Sequence, residues 1–438
     1  MAVVVAAPFV VLDDDPTGVQ TLAGIRVLFA WDGRRIRAAL DGRRAVHLIT
    51  NSRALPPERV QLLVEDAARA ALTGVPGANL VLRGDSTLRG HLREEYLGVR
   101  QLIAPAAWPP LLLVPALPSA GRVTVGGVHF FERGGARTPL HETEYASDGV
   151  FSYASARLLD WAEERSGGLF AATAGREVSL DVLRSRGGAD HITSALAALA
   201  ASDEPAVLAP DAETEADLGT IAAGYRAALS RGILAVVRCA PAFAGILAGT
   251  TAREPARLPA APDGVLVVCG SYVPQTTRQL GVLVAGHPDA LVTADVLALA
   301  YEETAVAEIA RLAAAASDRL ATNGVAIVAT PRERPAETVS LEAGERIASN
   351  LARVVSVLEP RPSVLVAKGG ITSAVTLHEG VGASQADVLG PVTPGVSRWS
   401  ACWPDGRPLA YLVVPGNVGE DDLLARLVDG IVSGPETC

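Results

Sequence analysis

A chain of 438 residues is too long for one ordinary core and predicts two domains. Hydrophobic residues make up 49% and charged residues 20%, which excludes a disordered chain, and the formal net charge of -10 disfavours a nonspecific nucleic-acid partner or an anionic membrane. A small molecule is the partner these numbers leave, and an anionic one would have to be met by local cations and helix N-termini.

In chain order, the apolar stretch from Ala2 to Leu12 lacks a basic leader and runs straight into Asp13-Asp14-Asp15. It reads as a first buried strand rather than a signal peptide. Short β-branched runs predict further strands at Val46–Thr50, Leu80–Arg83, Leu111–Pro115, Val207–Ala209 and Leu234–Arg238. Beyond Thr251–Gly264, a Pro- and Ala-rich linker candidate, come Val265–Cys269, Val325–Ala329, Val364–Ala367 and Tyr411–Val414, with a long helix over Ala305–Leu320. Strands alternating with helical stretches give an α/β fold: two α/β domains with mostly parallel sheets covered by helices, 1–250 and 265–438, joined by 251–264. Cys239, Cys269, Cys402 and Cys438 form no CxxC pair, so neither a zinc site nor a disulfide framework is expected, and a reducing, cytoplasmic setting is.

Open α/β sheets bind ligands beyond the carboxyl ends of their strands, so the residues that follow each strand carry the functional information. In the first half these are Asp14, Asp15, Thr17 and Gly18, then Ser52 and Arg53, then Asp85, Ser86 and Arg89. Carboxylates accept hydrogen bonds from sugar hydroxyls, and Arg53 or Arg89 can hold a carboxylate through two parallel bonds. Asp15 or Asp85 could take the proton of an attacking hydroxyl, and the sequence does not rank Asp14, Asp15 and Asp85. Each cluster alone also reads as a turn or a helix cap. Gly121-Arg122 and Asp211 follow the next strands and, taken singly, read as structural.

In the second half the strand ends are glycine-rich: Gly270-Ser271, Lys368-Gly369-Gly370-Ile371-Thr372, and Pro415-Gly416. Glycine lets backbone N–H groups approach phosphate oxygens closely, and three such turns in one domain predict a nucleotide site. Lys368 is the only lysine in the chain, a compact ammonium that could meet phosphate. Neither a GxxxxGK[ST] loop nor a GxGxxG fingerprint is present, and no metal-ligand pattern is found.

Taken in order, DDDPTG, TNSRALP, GDSTLRGH, PALPSAGRVTVGG, DAET, GSY, KGGITS and PGNVGEDD resemble the four-carbon acid sugar kinase family, from Asp13 to Asp422. The resemblance implies an N-terminal domain that binds the acid, a C-terminal domain that binds ATP, and phosphorylation of an acid such as threonate, erythronate or 3-oxo-tetronate. By motif, Asp14, Asp15, Thr17, Gly18, Ser52, Arg53, Asp85, Ser86 and Arg89 would contact the acid, and Ser271, Gly369, Gly370, Ile371, Thr372 and Gly416 the nucleotide. Mg²⁺ is expected with ATP, and the active site is expected in the cleft between the domains. A dinucleotide-dependent oxidoreductase and a non-catalytic binding protein are the alternatives; the missing GxGxxG argues against the first, and the segment Lys368–Ser373 separates the second from a kinase. Assembly into a homo-oligomer is left open.

Overall fold

The β-branched runs of the first half form seven strands hydrogen-bonded in the order Ala45–Ile49, Phe9–Asp13, Asn79–Arg83, Val236–Cys239, Leu111–Val114, Val207–Pro210, Arg176–Val178, and every pairing among them is parallel. The structure is a computed structural model describing residues 7–19, 22–147, 149–202, 204–250, 254–338 and 340–434. A parallel sheet is covered on both faces, so its strands read as unbroken apolar runs, and Val10, Val11 and Leu12 are all buried. Pro57–Gly74, Leu92–Ile103, Gly188–Ala200 and Glu215–Ser230 are among the helices of this half. The last opens on a capping box in which the Thr214 hydroxyl accepts from Asp217 N–H and the Asp217 carboxylate accepts from Thr214 N–H. Between Leu111–Val114 and Arg176–Val178 the chain makes a small antiparallel meander, Arg122–Val125, Val128–Arg133 and Ala136–Pro139, which the sequence did not reveal.

The strands of the second unit are hydrogen-bonded in the order Leu291–Thr293, Val325–Ala329, Val265–Cys269, Val364–Lys368, Pro408–Val414, Val396–Cys402, Gln385–Thr393, Ile25–Leu28. The first five strands are parallel and the rest antiparallel. Val265, Val267, Val325, Ile327, Val364 and Val366 pack with Leu280 and Leu283 of helix Pro274–Gly286 and with Leu424 and Val428 of helix Leu423–Val432. Each such side chain contributes about 1.5–3 kcal/mol when fully removed from water. The predicted helix lies within Glu302–Asn323.

The contiguous division expected from the sequence is corrected in one respect. The chain falls into two compact units, and the second takes Asp15–Ala30 along with the chain from residue 254, whereas the first ends at Asp14 and resumes at Trp31. The cause is Ile25–Leu28, which pairs antiparallel with Gln385–Val388 and is pinned there by Arg26, whose guanidinium makes two 2.8 Å bonds to Asp387. Among the described residues no helix is long and apolar enough to cross a membrane.

Candidate functional site

In the first unit, register brings the polar strand ends level: Asp13 stands opposite Ile49 on one side and Arg83 on the other, and Arg83 opposite Cys239. The residues that follow therefore meet, and they form a dense set of ion pairs. Asp13 is fully buried, accepts from His47 Nδ1 at 2.9 Å and is bonded by Arg83 Nη2. Burial pushes its carboxyl up, but Arg83 and His47 outweigh this and hold it below the usual range. Arg83 Nη1 lies 2.9 Å from Asp14 Oδ1. Arg53 holds Asp14 with two bonds, Nε at 3.2 Å and Nη2 at 2.9 Å, and its Nη1 is 4.0 Å from Asp85.

Asp85 opens the loop that closes this rim. Arg89 Nε donates to it at 2.7 Å and the Thr87 hydroxyl donates as well. Burial favours its neutral form, yet Arg89 and Arg53 prevail and keep it ionised far into the acid range. The loop backbone is held from outside. His129 Nε2 bonds the Ser86 carbonyl at 2.9 Å, the Tyr153 hydroxyl donates to the Thr87 carbonyl at 3.0 Å, and Arg238 Nη2 to the Arg89 carbonyl at 3.3 Å. Burial pushes His129 down to about 4, so at neutral pH its ring is uncharged, Nε2 carries the proton, and Nδ1 accepts from the Thr124 hydroxyl at 2.9 Å.

Arg238 and Glu95 were not singled out by sequence. Arg238 Nε donates to Glu95 Oε2 at 3.0 Å, and Ser52 Oγ donates to Glu95 Oε1 at 3.1 Å. Burial, with the nearby Asp14 charge, raises the Glu95 carboxyl even though Arg238 opposes the shift. The signal available in the sequence was the pair of glycines flanking the loop. A Cβ on Gly84 would lie 2.6 Å from the Arg238 guanidinium carbon, and one on Gly90, at φ +121°, 2.6 Å from Arg238 Nη2. Asp211 is structural as expected: its carboxylate accepts from Gly126 N–H at 2.8 Å and Gly127 N–H at 2.9 Å.

In the second unit the three glycine turns converge. A Cβ on Gly270 would lie 2.6 Å from Thr372 Oγ1, one on Gly416 2.8 Å from Ser271 Oγ, and one on Gly369, at φ +117°, 3.1 Å from Ser271 Cβ. Gly270, Gly369, Gly370 and Gly416 thus form one cradle with Ser271 and Thr372, in which a Cβ at each glycine would crowd a neighbouring side chain, while Ile371 points its side chain outward and is 47% exposed. The turns are fixed from below. Thr276 Oγ1 donates to the Gly416 carbonyl at 3.0 Å, Arg332 Nη1 to the Ser271 carbonyl at 2.9 Å, and Ser373 Oγ to the Gly369 carbonyl at 2.7 Å.

Lys368 and Asp15 take the following positions. Lys368 is fully buried, and Nζ donates to the Pro415 carbonyl at 2.6 Å, tying one glycine turn to the next. Burial pulls it down to about 8. Asp15, grouped by sequence with the sugar-acid residues, belongs to the second unit, where a Cβ on Gly370 would lie 2.5 Å from its Oδ2. Gly18 is buried in the Pro16–Val19 turn, its N–H bonded to the Asp15 carbonyl at 3.0 Å. The backbone of Thr17 shares that turn; its side chain lies outside the described residues. No group of three His, Cys, Asp or Glu side chains able to hold a metal is found among the described residues.

Comparison with known proteins divides the chain in the same order. A family model described as a sugar-binding N-terminal domain matches residues 9–247, and one described as a nucleotide-binding C-terminal domain matches residues 266–424. A D-erythronate kinase of Heliobacterium modesticaldum (strain ATCC 51547 / Ice1) is 29% identical over 97% of both chains. Two solved structures share the fold: a Haemophilus influenzae protein of a domain family of unknown function, 16% identical with a TM-score of 0.63 over 97% of this chain and 100% of that one, and a Salmonella typhimurium LT2 protein provisionally named a tRNA synthase, 17% identical with a TM-score of 0.68 over 96% and 98%.

Proposed function

Because this chain belongs to the four-carbon acid sugar kinase family and is a phosphotransferase acting on a sugar-acid hydroxyl, we propose that it transfers the γ-phosphoryl group of ATP to a hydroxyl of a four-carbon acid of the erythronate, threonate or 3-oxo-tetronate class. The observation that carries this reading is the cradle of Gly270, Gly369 and Gly416 around Ser271 and Thr372, with the Asp15 carboxylate set against Gly370 at its edge.

The cradle suits phosphate because glycine backbone can be approached closely, with the Ser271 and Thr372 hydroxyls as further donors. Asp15 is a carboxylate at the cradle, where a Cβ on Gly370 would lie 2.5 Å from its Oδ2, and a Mg²⁺ ion there would be held chiefly by nucleotide phosphates and water. When bound, that ion would neutralise charge on the transferring group.

Asp15, Asp85 and Lys368 then separate in role. Asp85, held ionised by Arg89 and Arg53, is a weak base and a firm anchor for the Asp85–Arg89 loop. Asp15 is the carboxylate beside the phosphate cradle and takes the proton of the attacking hydroxyl. Lys368 positions the Pro415-Gly416 turn rather than touching phosphate. Asp14, Ser52, Arg53, Ser86 and Arg89 shape the acid site, and Gly369 to Thr372 with Ser271 and Gly416 the nucleotide site. This reading makes the protein a cytoplasmic enzyme without a nucleic-acid or membrane partner.

The test is Mg²⁺-dependent ADP release from ATP across erythronate and threonate isomers, 3-oxo-tetronates and longer aldonates. Turnover on one four-carbon acid is expected. ATP binding with no turnover on any acid would move the acceptor outside this class, and no ATP binding would overturn the kinase reading.

A further inference from the structure

Four guanidiniums at the acid site already hold a protein carboxylate: Arg53 holds Asp14, Arg83 holds Asp13, Arg89 holds Asp85 and Arg238 holds Glu95. An incoming anion that took one of them would leave a carboxylate without its partner in a water-poor site, and that loss is costly. Recognition of a substrate carboxylate therefore calls for a cation outside these four pairs.

Arg122 meets that need. Among the described residues it makes no ion pair, and its guanidinium lies 4.7 Å from the Phe131 ring centre, with Nη1 donating to the Ala120 carbonyl at 2.5 Å and Nε making no hydrogen bond. Its backbone is fixed on both sides. Arg122 and Leu117 exchange N–H···O bonds of 3.1 and 2.8 Å, and Gly121 before it, at φ +71°, approaches the Glu132 carbonyl so closely that a Cβ would lie 2.3 Å away. Arg122 also belongs to the acid site by position. Its guanidinium and that of Arg89 sit 5.9 and 5.7 Å from the centre of the same Tyr145 ring, and its meander is bolted to the Asp85–Arg89 loop by the His129 bond to Ser86.

Resting on the sugar-acid kinase reading, we propose that Arg122 binds the substrate's carboxylate and so makes the enzyme specific for acids over their neutral analogues. The protein pairs of Arg53 and Arg89 stay intact when the substrate enters and serve its hydroxyls. Stacking on Phe131 keeps the Arg122 fork oriented before binding, so little side-chain entropy is lost when two bonds form to a carboxylate.

The test compares wild type with Arg122→Met, which keeps an apolar stem over Phe131, and Arg122→Lys, which keeps the charge but not the fork. D-erythronate and its carboxamide serve as probes, both in steady-state kinetics and in calorimetric binding. Arg122→Met is expected to weaken erythronate about 10- to 100-fold, leave the KM for ATP unchanged, and abolish the preference for acid over amide. Arg122→Lys should recover part of that preference. An erythronate affinity moved less than about twofold in Arg122→Met, or a preference for the acid retained by that variant, overturns the proposal. Failure of wild type to phosphorylate the acid would instead count against the kinase reading, and the calorimetric comparison would still decide the role of Arg122.

Discussion

The two ends of this chain prepare for their ligands in opposite ways. The proposed acid site is built from charged side chains, and the described guanidiniums of Arg53, Arg83, Arg89 and Arg238 are all committed to protein carboxylates. The glycine cradle of the second unit is built from backbone, and its one buried ammonium, Lys368, faces a carbonyl. Side-chain geometry can tell one polyhydroxy acid from another, whereas bare N–H groups suit any phosphate chain. Selectivity should therefore be lost by mutation in the first unit and nucleotide affinity by mutation in the second.

The largest expected effect breaks the division at its boundary. Asp15→Asn should lower kcat about 10²- to 10⁴-fold, as loss of a general base does, with little change in acid affinity by calorimetry. A large loss of acid affinity instead would return Asp15 to the acid site. Next, Arg238→Met leaves Glu95 buried without its partner and should cost about 3–5 kcal/mol of stability, read from denaturant unfolding. Acid binding should fall with it, while ATP binding under native conditions persists.

A third change sharpens the cradle side. In Lys368→Met the Pro415 carbonyl loses its charged donor, and ATP affinity should fall about tenfold. The pH dependence carries its signature. Lys368 is held at about 8, below the ordinary lysine value of 10.5, so between these values the unfolded chain binds the extra proton. The stability conferred by its neutral form is present above 10.5 and lost as pH falls through about 8. Wild type should gain stability over that window relative to Lys368→Met, while its ATP affinity weakens as the ammonium loses its charge. Parallel pH curves for the two proteins would refute the clamp. Smallest of all, Thr276→Val removes one bond to the Gly416 carbonyl and should cost about 1 kcal/mol, seen as a few-fold rise in the KM for ATP and none for the acid.

Much of this could be read from the residues alone, and the physical reason lies in where the information is local. Ten strands fell where apolar runs put them, because a strand buried on both faces announces itself over five residues, as VLVVC does at Val265–Cys269. Ile25–Leu28 was not legible. Its four residues carry little signal, and its partner at Gln385–Val388 is some 360 positions away in the chain. The glycines of the cradle were found because close approach and positive φ select one residue type. The direction of a long side chain is different. Sequence singled out Lys368 but could not say that Nζ turns to Pro415, nor that Arg238 threads between Gly84 and Gly90 to reach Glu95.

The exchange of chain at Asp14–Asp15 and again at Ala30–Trp31 bears on how the molecule can be cut. A fragment beginning at residue 254 would lack Ile25–Leu28 and leave the Gln385–Val388 backbone with no neighbour on that side. An open strand edge of that kind recruits other chains. Expressed alone, the fragment should aggregate, and adding a peptide spanning residues 15–30 in trans should restore solubility. The gene can thus be divided at the linker without yielding two proteins, and recombination that swapped nucleotide halves between relatives would have to carry a short piece from near the opposite terminus with them.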